Sequence, residues 1–486
     1  MNVWVDAPVI DGDRVHFSWR QSEPNPFQRA NEFYFRYVDI ELDAFSPQLF
    51  WEMFLALQLK VFARYESPVA IELPYAIGAK SAAFWQAFHD GEHIEIGPLT
   101  DIESYEPLIV PSDQPAKQAA VFYGGGIDSV LATGWLTELL GDDNVVLIQY
   151  IAPFNPAHGK MAFHERRQRT LMLDPIQRLR QVSAQRVFSD FLSNYTKEGL
   201  EKPPHRELYT AGALPALLWH GASTSTLGDV RTDFAIIVDQ DGTRDYHFAE
   251  SRPERLDAQS RHYQRVLGFN HRLGDLNFPF SVSQNHHLLI ARYPELLPAA
   301  VSCMSGTSKE RFCHRCYKCF KSMLFGLSAG YMYPEMNYDR MLSENQWVLR
   351  LVAYADSGVE LNFHGNAIWT EGLTETANAY QSMCHALATI DPEMIIDTIG
   401  LAALANLYTM MALFGNTRFP NQEVVAQEIL DFVGGDLIHE VGRLAAEHYP
   451  MVDQLPAPWL WGDRESIIDF QTRVATKMDD LPHLRD

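Results

Sequence analysis

Basic residues are scarce in this 486-residue chain: 39 lysines and arginines stand against 62 aspartates and glutamates, a formal net charge of −23. Such a balance opposes non-specific attachment to DNA, RNA or anionic membrane, so an anionic ligand must meet a local basic pocket. The opening Met1-Asn2-Val3-Trp4-Val5-Asp6 has neither a basic n-region nor a long apolar h-region. No signal peptide is read there, and a cytoplasmic protein is expected. Long apolar runs are missing too. The longest, Ile399 to Gly415, is interrupted by Asn406, Tyr408 and Thr409 and falls short of the roughly 20 residues of a bilayer span, so a buried core helix is expected. Cysteine is the last rarity, with five in all. Against these absences, 47% hydrophobic and 21% charged residues place the chain among soluble globular proteins long enough for two or three domains.

The apolar run Ala119 to Tyr123 breaks into Gly124-Gly125-Gly126-Ile127-Asp128-Ser129, and apolar residues then continue at helical spacing through Val130, Trp135 and Leu139. This places three glycines on a strand-to-helix turn. Glycine accepts positive φ and lets a phosphate approach the main chain, while the first amides of a helix are unpaired donors at the positive end of its dipole. Gly124, Gly125, Gly126, Ile127, Asp128 and Ser129 are therefore candidate phosphate-binding residues, with an ordinary glycine turn as the alternative. Asp128 can cap the helix or help hold Mg²⁺.

In chain order, residues 1–114 carry strand patterns at Arg14–Trp19, Phe33–Val38 and Val69–Leu73 and a helical pattern over Pro47–Ala63, the pattern of a small α+β domain. Pro111–Pro115 is the expected linker. Residues 117–330 read as an α/β domain with a parallel sheet: a second strand over Asn144–Tyr150, a helix over Tyr209–His220 and a further buried strand over Asp233–Asp239. That last strand would bring Asp239 and Asp241 to the active edge, as Mg²⁺ or ribose contacts or simply as turn residues. Arg166, Arg167, Arg169, Arg178 and Arg180 form the densest basic cluster, facing either a ligand or solvent. Adjacent His286 and His287 do not by themselves make a metal site. Residues 343–486 are expected to be helical, and to pack beside the α/β domain, cover its pocket or form an oligomer interface.

Four of the five cysteines, Cys303, Cys313, Cys316 and Cys319, fall within seventeen residues as C-x9-C-x2-C-x2-C. In a chain without a secretory signal this spacing argues for metal rather than disulfides. Structural Zn²⁺ in a tetrahedron of thiolates is the expectation, an iron-sulfur cluster the rival. Cys384 reads as a core thiol.

The loop resembles the PP-loop, the S-G-G-x-D-S pyrophosphate-binding signature of the N-type ATP pyrophosphatase superfamily, with Gly124 in place of the first serine. Joined to the four-cysteine segment it is similar, over residues 117–330, to the 7-cyano-7-deazaguanine synthase family. The small domain ahead of the loop and the segment ending in Cys316-Tyr317-Lys318-Cys319 also resemble the UDP-N-acetylmuramoyl-L-alanyl-L-glutamate epimerase family, where Ile127 has a lysine counterpart. Both resemblances imply an adenine nucleotide alpha hydrolase-like α/β fold, use of ATP, Mg²⁺ and Zn²⁺, and adenylation of a small-molecule carboxylate with release of pyrophosphate. Asp128 and Ser129 would act on the leaving group, and the acceptor could be a protein or a nucleotide-sugar peptide. A non-catalytic ATP-binding module is the contrasting expectation. Sulfur transfer to tRNA is opposed by the acidic charge and by the commitment of four thiols to metal.

Overall fold

In the computed structural model, the described residues are 1–65, 67–101, 115–151, 161–196, 205–228, 234–238, 244–248, 253–303, 309–356, 377–415 and 418–456. The sheet is built from β1 (Asn2–Val5), β2 (Val9–Asp11), β3 (Arg14–Gln21), β4 (Glu32–Tyr37), β5 (Val69–Gly78), β6 (Ile94–Thr100), β7 (Ala119–Phe122), β8 (Val145–Ile151), β9 (Ser183–Ser189), β10 (Thr224–Thr226) and, after a separate hairpin of β11 (Phe234–Val238) and β12 (Arg244–Phe248), β13 (Arg272–Gly274). Its order is β13-β10-β7-β8-β9-β4-β3-β1-β5-β6, with β2 on β3. The first five strands in that order are mutually parallel, as expected of a doubly wound α/β unit. β9 then pairs antiparallel with β4. The expected boundary near residue 114 thus divides the chain but not the sheet, because the N-terminal strands continue the sheet beyond β9. Of the expected linker, only Pro115 lies among the described residues.

Strand residues alternate between two cores, which is why β7 and β8 read as continuous apolar runs. Ala119, Val121, Val145 and Leu147 face a core that includes helix Ile127–Leu140, the cysteine segment and the C-terminal helices. Ala120, Phe122, Val146 and Ile148 face the other, built on helix Pro47–Phe62, residues 205–222 and helix Pro253–Leu267. Helix Pro47–Phe62 is buried nearly all round, including Glu52, whose carboxylate accepts from Trp85 Nε1 at 2.7 Å and lies 2.8 Å from His262 Nε2.

Three expectations change. The strand over Asp233–Asp239 exists as β11, but among the described residues it pairs with β12 alone, antiparallel. Asp239 and Asp241 lie outside the described residues. The fourth parallel strand is instead the hydroxyl-rich Thr224-Ser225-Thr226. The helix over Tyr209–His220 is two short ones, His205–Thr210 and Leu214–Trp219, separated where Gly212 packs under the Phe35 ring and Pro215 opens a new first turn. Helix Leu401–Phe414 buries Ala403, Leu407 and Met410 but leaves Leu401 and Tyr408 exposed, so it is a surface helix rather than a wholly buried one. No helix among the described residues is long and apolar enough to cross a membrane.

The short edge strands are tied by a buried histidine. His271 Nδ1 lies 2.6 Å from the Ala222 carbonyl oxygen and Nε2 lies 2.8 Å from Ser225 Oγ. Burial pushes its pKa down to about 4, and that of His220 likewise to about 4. Both are neutral in the fold and must acquire a proton on unfolding below their ordinary value near 6.5, so their stabilisation is complete above about pH 6.5 and is lost as pH falls toward 4. We expect the melting temperature to drop across this window and His271→Asn to flatten the drop; a melting temperature constant from pH 7 to 4.5 would contradict it.

Candidate functional site

In the parallel unit, the chain passes from β7 to β8 and β9 on one side, then returns to β10 and β13 on the other. The crevice where the order reverses, at the carboxyl ends of β7 and β10, is where open α/β sheets place their ligands. The run Gly124–Ser129 lies there, between the end of β7 and the first turn of helix Ile127–Leu140.

Each glycine has its own geometry. Gly124 is exposed, and a Cβ on it would project into open space. Gly125 has φ +70°, and a Cβ there would stand 2.5 Å from Met172 Cγ and Sδ. Met172 is seated by a π-helical stretch, Arg169–Leu173, and its carbonyl accepts from Tyr123 at 3.2 Å. Gly126 is the N-cap, in extended conformation and with no capping side chain. The amides of Gly124, Gly125 and Gly126 have no acceptor among the described residues, the arrangement an anion can satisfy. Ser129 is buried and its hydroxyl donates to the Gly126 carbonyl at 3.2 Å. Gly228, just beyond β10, passes so close that a Cβ on it would sit 3.4 Å from the Ser129 nitrogen.

The segment leading to the cysteines backs the loop. The Val301 amide donates to the Gly125 carbonyl at 2.6 Å, and Ser302 Oγ lies 3.5 Å from the Ile127 nitrogen. One residue on, Cys303 joins Cys313, Cys316 and Cys319 in a group whose four sulfurs all lie within 4.8 Å of one another. The separations are 3.8 Å for Cys313–Cys319 and Cys303–Cys316 and 3.5 Å for Cys316–Cys319. A tetrahedron with metal–sulfur bonds of about 2.3 Å has edges of about 3.8 Å. The four cysteines can therefore hold one metal ion. A multinuclear cluster distributes its thiolates over several irons and spreads them further. Locally, His314 adopts φ +64° to close the Cys313–Cys316 turn, and Cys316 is the N-cap of helix Tyr317–Ser328, whose first turn carries Cys319. Four thiolates this close repel one another and need a cation. Cys384 is a separate buried thiol.

The arginines of the cluster separate into buried and exposed members. Arg167 is buried and structural, donating to the Cys303 carbonyl at 2.8 Å and the Glu310 carbonyl at 2.7 Å. Arg166 and Arg169 are exposed, Arg169 lying 3.7 Å from Asp174, and Arg180 pairs with Glu295 at 2.7 Å. His286 and His287 take different partners, the Val282 carbonyl and Ser328 Oγ, each at 2.9 Å. Asn277 was without a sequence signal, and Asn285 was one polar residue in a polar triplet, yet both reach Asp128. Asn277 donates to its main-chain carbonyl at 2.6 Å and Asn285 to its carboxylate at 2.9 Å. No family model matches this chain, and no curated protein matches it.

Two measurements probe this geometry. Gly125→Ala should cost about 2 kcal/mol or more, from positive φ combined with overpacking, and adding Met172→Ala should recover part of it; a Gly125→Ala melting temperature equal to wild type would contradict the loop geometry. Elemental analysis should find about one zinc per chain, with Cys316→Ser losing both the metal and protease resistance near residues 300–330. Iron with visible absorbance would replace zinc by a cluster, and full stability without metal would remove the centre.

Proposed function

We propose that the chain is an ATP-dependent PP-loop enzyme that activates a substrate carboxylate by adenylation, in the manner of 7-cyano-7-deazaguanine synthase, which takes a deazapurine acid through an amide to a nitrile. The observation that carries this reading is the placement of Gly124–Ser129 at the sheet's reversal point, backed through Val301 by the four-cysteine segment.

A carboxylate is a poor electrophile because its leaving group would be oxide or hydroxide. Attack of a carboxylate oxygen on the α-phosphorus of ATP forms an acyl–phosphate bond, breaks the bond to the β-phosphate oxygen and releases pyrophosphate, leaving AMP as the leaving group for the next step. The chain's part is to receive charge where it accumulates. Amides of Gly124, Gly125 and Gly126 that donate to departing pyrophosphate would add stabilisation as negative charge grows on it. Open space at Gly124 allows close approach. Ser129 can turn its hydroxyl from the Gly126 carbonyl to a phosphate oxygen, and Asp128 offers a carboxylate to Mg²⁺. Bound Mg²⁺ would supply charge neutralisation on the phosphates. The cysteine centre, closed by four sulfurs, has no open coordination position, so zinc held there serves the fold.

Incubation with ATP, Mg²⁺ and a panel of carboxylic acids, deazapurine acids among them, should release AMP and pyrophosphate in equal amounts. Ser129→Ala and Asp128→Ala should each lower the rate about tenfold or more, equivalent to about 1.4 kcal/mol of barrier, with zinc content unchanged. Wild-type turnover in both variants would remove the assigned site, and ATP binding without pyrophosphate release would make the chain a binding module.

A further inference from the structure

We propose that Asn285, assisted by Asn277, is a positioning residue for Asp128; this rests on the reading of Gly124–Ser129 as a phosphate cradle. Asp128 stands in the first turn of the loop helix, where a carboxylate is drawn toward the same amides that would receive phosphate. Left to rotate, it would compete with that anion. Asn285 Nδ2 holds one carboxylate oxygen at 2.9 Å, which turns the side chain toward helix Val282–Arg292, while Asn277 Nδ2 fixes the Asp128 carbonyl at 2.6 Å.

Burial separates this role from packing. Both asparagines are 0% exposed, and among the described residues the Oδ1 of each has no hydrogen-bond partner. A carboxamide buried for a single hydrogen bond is a poor packing residue, since an unpaired buried oxygen costs about 1–3 kcal/mol and an apolar side chain of similar size would avoid it. What the amide provides that an apolar group cannot is its N–H to Asp128.

The helix that carries Asn285 is itself fixed. Ser281 and Gln284 form a reciprocal capping box at its start. Ser283 Oγ donates to Gln422 at 2.8 Å, and Gln284 Nε2 to the Val424 carbonyl at 2.8 Å. At its other end Arg292 grips Glu138 of the loop helix at 2.5 and 2.9 Å and Glu447 at 2.6 Å. Asn285 therefore presents its donor from an element braced at both ends, and Asp128 takes its orientation from that element.

The test is calorimetric titration of the full-length, zinc-loaded protein with pyrophosphate in Mg²⁺. Asn285→Leu should weaken binding about tenfold or more and raise the Mg²⁺ needed for half-saturation, with zinc content retained. Asn285→Asp keeps the shape and makes the donor depend on a proton, because two facing carboxylates share one. Its deficit relative to wild type should therefore shrink as pH falls from 8 to 6, whereas that of Asn285→Leu should stay constant. A purely structural role would give both variants the same pH-independent deficit and would overturn the inference, as would wild-type affinity in Asn285→Leu. If the wild-type protein fails to bind pyrophosphate at all, the phosphate-cradle reading falls and takes this inference with it.

Discussion

The hydrogen bond from the Val301 amide to the Gly125 carbonyl is the contact on which the loop side of the sheet depends. It joins two features that lie far apart in the chain, at Gly125 and Val301. Two residues beyond Val301 stands Cys303, whose carbonyl is held by buried Arg167 and whose sulfur belongs to the four-cysteine group. A metal ion held there would fix Cys303, and through Cys303 and Val301 the one loop residue with positive φ. Because binding energy at such a centre is folding energy, occupancy of the cysteine group would then bear on the order of the loop.

The two faces of the sheet divide the remaining labour. One carries the aromatic N-terminal layer and is given over to packing. The other carries the loop helix, helix Val282–Arg292 and the C-terminal helices in a single core. Of the three roles open to the C-terminal region, packing beside the α/β unit is the one the described residues display. The contact is polar as well as apolar: Gln422 accepts from both Ser283 and Ser382 at 2.8 Å, so the helix behind the loop is hydrogen-bonded into the C-terminal region.

Much of this was legible in the sequence because it rests on local chemistry. Apolar runs of buried strands, the glycine turn and the C-x2-C spacing are each dictated within a few residues. Illegible parts are those where tertiary context decides. Thr224-Ser225-Thr226 does not read as a core strand; it becomes one because β7 and β13 supply its partners and His271 its hydrogen bonds. The run Phe234–Val238 has the apolar look of a central strand, yet pairs locally with its own hairpin neighbour. Arg167 carries the same charge as exposed Arg166 beside it, and only the fold turns one toward carbonyls and the other outward. Asn277 and Asn285 are silent for the same reason, since an asparagine acquires meaning from the residue across from it.

The antiparallel joint between β4 and β9 has a consequence for how this molecule can be taken apart. Cutting the chain near residue 114 would separate the parallel α/β unit, as a fragment, from the N-terminal strands. Such a fragment would end at β9, with its ladder of main-chain groups exposed along one side and the apolar face at Phe122, Val146 and Ile148 stripped of helix Pro47–Phe62. An uncovered edge beside an uncovered face is a template for self-association. The N-terminal quarter is accordingly the seal of the sheet, and a fragment meant to keep the sheet closed has to include it.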